Sequence, residues 1–180
     1  MIFKETALKG AFVIEPEPVT DDRGLFARTW CQQEFTAQGL SAMWVQSSVS
    51  FNNHKGTLRG MHYQAAPHEE VKLVRCTMGA IYDVIVDLRP ASPTCGQHIS
   101  VRLSSENRRM LYIPGQFAHG FLTLEDQSEI SYHMSEFYMP SSARGFRWDD
   151  PTFCIELPEP VTTMSERDRT CPIYFKTSHL

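Results

Sequence analysis

No two of the five cysteines (Cys31, Cys76, Cys95, Cys154 and Cys171) stand in a C-x-x-C pair, and an odd, scattered set provides neither a disulfide framework nor a structural zinc site. That usage predicts a reducing compartment, the cytoplasm. Long apolar runs are missing as well. Lys4, Glu5, Lys9 and Glu15 interrupt residues 1–20, which excludes a secretory signal peptide, and nothing further along is apolar enough to span a bilayer. Internal repeats and low-complexity linkers are absent. Nor is there an excess of positive charge: a net charge of −4 argues against a dedicated nucleic-acid binder, so any basic site is local. What is present is 180 residues with 42% hydrophobic content, enough for one globular domain spanning 1–180 with a true core.

Helical signals are scarce. Trp30 to Gln38 with Gly39 as a stop is the one clear helical segment, and TMSERDR near the end predicts a last short turn or helix. Strand-like runs dominate instead: AFVIE (11–15), MWVQSSVS (43–50), VKLVRCT (71–77), AIYDVIVDL (80–88), HISVRL (98–103), RMLYI (109–113), GFLTL (120–124) and EISYHM (129–134). Turns such as PASPTCG and PGQ separate them, and DDRG (21–24) is turn chemistry leading into LFARTW. The pattern predicts an all-β fold, best fitted by a jelly roll with a few short helices.

The stretch Lys55 to Arg75 carries the densest chemistry. Alternation along its first strand puts His62 and Gln64 on one face and Arg59, Met61 and Tyr63 on the other, while Lys72 and Val74 share a face of the next strand. If both strands line a barrel, a base and an ammonium donor face one cavity. Further on, Asp83, Ile85 and Asp87 alternate with Tyr82, Val84 and Val86. A solvated acidic face explains those aspartates most simply; an Asp83 turned inward towards Lys72 is the sharper reading. Taken singly, the other groups have plain explanations too. His62 and His119 can be structural or exposed histidines, Lys72 can snorkel to a rim, Tyr132 and Tyr138 can be core or rim aromatics, and Asp168 can be an N-terminal charge on a turn.

Eight motifs taken together go further. DDRGLF (21–26), GTLRGMHYQ (56–64), KLVRC (72–76), YDVIVDLR (82–89), SPTCG (92–96), IPGQFAHGF (113–121), Tyr132 with Tyr138, and SERD (165–168) closely resemble the dTDP-4-dehydrorhamnose 3,5-epimerase family, in the same order and from about residue 10 to residue 172. The resemblance implies a cupin-type jelly roll, a homodimer, no metal or cofactor, and epimerisation of a nucleotide-linked 4-keto-6-deoxyhexose. Inverting a carbon beside a ketone requires removing its proton from one face, holding the enolate, and returning a proton to the other face. By resemblance His62 is the base and Asp168 holds its imidazole in the useful tautomer. Lys72 donates to the C4 oxygen as charge develops there, and Tyr132 reprotonates from the far side.

Binding groups follow the same resemblance: Arg59 at the diphosphate, His119 at the sugar end, and Arg23, Phe26, Gln46 and Tyr138 around nucleotide and sugar. Three positions depart from the family pattern. Arg28 replaces an acidic residue, Ser48 an asparagine and Ala143 a glutamate. A guanidinium only donates hydrogen bonds, so Arg28 predicts weaker thymine readout and a preference for a base offering acceptors, such as cytosine; alternatively it pairs with an acidic neighbour. Two rival classes complete the picture. A metal-dependent cupin needs clustered imidazoles and a carboxylate, which His62, His119 and Glu69 or Glu70 would have to supply, since His62-Tyr63-Gln64 lacks an H-x-H spacing. A non-catalytic sugar-nucleotide-binding module needs no acid and base pair.

Overall fold

Period-two alternation pays off only when two sheets face each other, and that is how the short strands assemble. The computed structural model describes residues 1–41 and 43–174. In chain order the strands are β1 (Ile2–Glu5), β2 (Phe12–Glu15), β3 (Val19–Asp21), β4 (Gly24–Phe26), β5 (Gln46–Asn52), β6 (Thr57–Gln64), β7 (Lys72–Met78), β8 (Ala80–Asp87), β9 (His98–Ser104), β10 (Met110–Ile113), β11 (Phe117–Thr123), β12 (Ser128–Met134), β13 (Ala143–Gly145) and β14 (Thr163–Met164). The helices are α1 (Gln32–Ala37) and α2 (Glu166–Arg169). One sheet runs β1-β2-β10-β7-β12-β5 and the facing sheet β13-β6-β11-β8-β9, with β14 parallel to β6; β3 and β4 form a separate hairpin. This is the expected cupin-type jelly roll.

The main core lies between the sheets, where Val74, Cys76, Leu111, Ile113 and Ile130 of the first meet Ile81, Ile85, Leu103, Phe117 and Phe121 of the second. Each outer face is partly covered as well. Phe35 of α1 packs with Ile14, Leu73, Met110 and Tyr112 on the first sheet, while Phe146, Phe153 and Ile155 cover Met61, Val84 and Val86 on the second. Phe35 is wholly buried, so truncating it to alanine costs roughly 3–5 kcal/mol and releases the helix. Helix α1 is shorter than the Trp30–Gln38 segment because its N-cap, Cys31, offers no side-chain acceptor, while Gly39 at φ +70° closes it as expected.

One local irregularity organises the site. His119 pairs with His62 and Phe121 with Arg59, so two steps along β11 match three along β6, a β-bulge. The backbones touch at that point. A Cβ on Gly60, whose φ is +128°, would lie 2.5 Å from the Cα of Gly120 and 2.9 Å from the carbonyl oxygen of His119. The extra residue overturns simple alternation: Arg59 turns to the same side as His62, while Met61 and Tyr63 pack on the outer face.

Candidate active site

A cavity of about 400 Å³ is lined by Ser48, Arg59, His62, Lys72, His119, Phe121, Tyr132, Arg167 and Asp168 among others. Strand β6 contributes Arg59 and His62, β7 Lys72, β11 His119, β12 Tyr132 and β5 Ser48, so both sheets build the wall. Asp168 arrives from α2. Ser165 caps that short helix by accepting from the Asp168 N–H at 3.1 Å, and the docking of β14 along β6 carries α2 to the cavity.

The Nε2 of His62 lies 2.8 Å from Oδ1 of the buried Asp168. A carboxylate only accepts, so the imidazole hydrogen belongs on Nε2 and Nδ1 keeps its lone pair. Burial alone would raise the Asp168 carboxyl, but the bonds from His62, the Gly60 N–H at 3.3 Å and Ser165 outweigh it and hold the group below the usual carboxylate range. Behind the imidazole, β13 passes so closely that a Cβ on Gly145 would sit 3.2 Å from His62 Cδ2.

A second histidine and aspartate pair lies deeper. His119 Nε2 meets both oxygens of Asp83, at 3.0 and 2.9 Å; Asp83 is closed to solvent and His119 is buried, with one edge on the cavity. The solvated-face reading of the aspartates is therefore corrected. Asp83 points inward, and Asp87 is enclosed by Arg89, Ser92 and Thr94. A buried partner makes an inward aspartate tolerable, and here that partner is His119 rather than Lys72. Desolvation lifts the Asp83 carboxyl above its ordinary range against the pull of His119 and, more weakly, Lys72. Tyr132 meets the His119 ring edge to face at 6.2 Å. Burial, then the nearby Asp83, pushes its hydroxyl well above the normal tyrosine range, so Tyr132 keeps its proton.

Two cations of the cavity wall have fixed partners. Arg59 Nε donates to Asn52 Oδ1 at 2.7 Å, and the amide nitrogen of Asn52 donates to the Ser128 carbonyl. Lys72 Nζ contacts Glu70 Oε1 at 2.9 Å. Asn52, Phe121 and Arg167 were not among the sequence candidates. Arg167 had a signal, as the one cation of SERD and the neighbour of Asp168, whereas Asn52 becomes visible only once β5 lies beside the cavity.

Other candidates stay outside this cavity. Arg23 pairs with Asp21 on the β3–β4 hairpin, and Phe26 is 78% exposed there. Arg28 pairs with Glu34 of α1 at 2.9 Å, the acidic-neighbour alternative. Gln46 accepts from the Tyr138 N–H, and Tyr138 is exposed. Gln64, predicted to share the His62 face, is buried at the strand end, where its side chain binds the backbone of His68, Phe137 and Met139. The donors of a metal cupin do not converge either: Glu69 accepts from Gln116, Glu70 holds Lys72, and among the described residues no three His, Cys, Asp or Glu side chains stand within reach of one ion.

The sequence profile of dTDP-4-dehydrorhamnose 3,5-epimerase matches residues 5–175. The chain belongs to the dTDP-4-dehydrorhamnose 3,5-epimerase family. Among relatives in this family, the enzyme of Methanothermobacter thermautotrophicus is 44% identical over 170 residues, which cover 93% of this chain and 91% of the relative. The crystal structure of the Bacillus anthracis epimerase with TDP and PPi bound superposes with a TM-score of 0.93 at 37% identity, covering 96% of this chain and 99% of that one. A Legionella pneumophila epimerase in complex with dTDP-4-keto-L-rhamnose gives 0.89 at 34% identity, covering 96% and 92%.

Proposed function

We propose that this family member inverts C3, C5 or both of a nucleotide-diphosphate-linked 4-keto-6-deoxyhexose, by proton abstraction and reprotonation through an enolate. The observation that carries the reading is the opposition of His62 and Tyr132. One stands on β6 and the other on β12, in facing sheets, and both line one cavity. Epimerisation needs that arrangement, since a proton leaves one face of the ring and another enters the opposite face. His62, oriented by Asp168, is the base. Lys72 stabilises the oxygen at C4 as it becomes negative, at a wall where the ammonium is largely withdrawn from water. Tyr132, kept protonated by its surroundings, is the far-side acid, and Arg59 takes the diphosphate. His119, Ser48 and Arg167 line the sugar end. These groups hold and move protons without a cofactor.

The exposed β3–β4 hairpin, with Val19 71% and Phe26 78% exposed, supports a homodimer in which this apolar surface is covered by a second copy. Arg23, Phe26 and Arg28 then act at the nucleotide within the dimer, and Gln46 and Tyr138 act at the mouth. Light scattering tests this by the mass of two 20.6 kDa chains. The free cysteines suit a cytoplasmic, single-domain enzyme.

The direct test is incubation with dTDP-, CDP-, GDP- and UDP-linked 4-keto-6-deoxyglucose in deuterated water, following hydrogen loss at C3 and C5 by NMR. Exchange with inversion is expected. Tight binding without exchange at either carbon would reduce the protein to a binding module.

A further inference from the structure

A lysine that must meet a developing negative charge is a poor electrophile while its long stem samples many rotamers. Lys72 does not hang free. Glu70 lies two residues earlier on the approach to β7, so in extended chain the two side chains leave on the same side. Their contact, Nζ to Oε1 at 2.9 Å, is largely withdrawn from solvent, with side-chain exposures of 12% and 14%. The other carboxylates nearby are committed elsewhere. Asp83 gives both oxygens to His119, Asp168 is held by His62 and Gly60, and Glu69 accepts from Gln116.

We infer that Glu70 is the positioning residue for Lys72, fixing the ammonium where it meets the C4 oxygen of the substrate. This rests on the enolate-stabilising role given to Lys72 above. A carboxylate at the base of the ammonium leaves further N–H donors for the substrate oxygen, because an ammonium has three. Glu70 touches no reacting atom in this account; it acts through Lys72.

Four proteins test the inference with dTDP-4-keto-6-deoxyglucose: the unmodified enzyme, Glu70→Gln, Lys72→Ala and the double variant. Glu70→Gln should lower kcat about 10- to 100-fold, the scale of a misplaced catalytic group, with KM and Tm nearly unchanged. In the Lys72→Ala background the same change should cost nothing more, because there is no ammonium left to position. Glu69→Gln, one residue away, should remain as active as the unmodified protein. If glutamine disturbs folding, Glu70→Asp, which retains the charge but withdraws it by one methylene, reads the same step through kcat at unchanged Tm. Full activity of Glu70→Gln, or losses that multiply in the double variant, overturns the inference. The two readings fail differently. An active Lys72→Ala removes the role of Lys72 and the inference with it, whereas a crippled Lys72→Ala beside a fully active Glu70→Gln removes Glu70 alone.

Discussion

His62 and Asp168 are 106 residues apart in the chain and 2.8 Å apart in the fold. The carboxylate fixes which ring nitrogen carries hydrogen, and a group with that duty affects turnover rather than affinity. Asp168→Asn should therefore lower kcat by at least about 10²-fold with little change in KM. His62→Asn should abolish deuterium exchange at both carbons while nucleotide binding, measured by calorimetry, persists. Near-normal exchange in His62→Asn would sink the mechanism.

Lys72 and Tyr132 should fail differently. Lys72→Ala slows the first exchange at every reacting carbon by roughly 10²–10³-fold, the loss of one oxyanion donor. Tyr132→Phe keeps part of the exchange, since His62 can take and return a proton on its own face, but loses inversion. Because burial and Asp83 raise the Tyr132 hydroxyl, its acid form persists beyond the usual tyrosine range, and inversion should not decline on the alkaline side through this residue. Unchanged product formation by Tyr132→Phe would assign far-face protonation to another group or to water.

Arg28 is engaged by Glu34 at 2.9 Å, and the same carboxylate also receives the Met1 amine. That bond takes one of five guanidinium donors, and Glu34 places an acceptor in the same pocket as Phe26. We expect the ratio of kcat/KM for dTDP- over CDP-linked substrate to favour dTDP and to change little in Arg28→Ala. A reversal of preference in the unmodified protein would return Arg28 to base selection.

Stability has its own acid-sensitive point. Burial would raise Asp87, but bonds from Arg89, Ser92 and Thr94 bring its carboxyl down to about 2 from an ordinary 3.8. A depressed carboxylate stabilises the fold above about pH 4, and that contribution is lost as pH falls through 2. Asp87→Asn should cost about 1–2 kcal/mol at neutral pH and flatten the loss between pH 4 and 2. Urea titrations at pH 7 and pH 2.5 check it; equal destabilisation at both would show that the charge is not what matters.

Most strands were legible as short apolar or alternating runs between turn residues, although β8, β10 and β11 are buried on both faces. The short ones were not. β13 and β14 have three and two residues, too few for a period to register, and they depend on β6 for pairing. Alternation also misassigned Arg59, since a bulge is made by contact with another strand, here through Gly60 and Gly120. Asp83 illustrates a different limit. Pattern places it on a face, but only the arrival of His119 from β11 makes the inward face habitable for a carboxylate. The pairing of Arg59 with Asn52 is likewise a property of the assembled sheets.

The docking of α2 has a consequence for the life of the chain. All strands of the facing sheets except the two-residue β14 come from residues up to Gly145, whereas the carboxylate beside His62 comes from residue 168. During synthesis the imidazole is made long before its partner, so a nascent chain carries His62 without the carboxylate that fixes its tautomer. A single proteolytic cut between β13 and β14 that released the end of the chain would have the same effect. The pairing of the two is thus a late event in the history of each molecule, complete only when the segment carrying Asp168 has seated on β6.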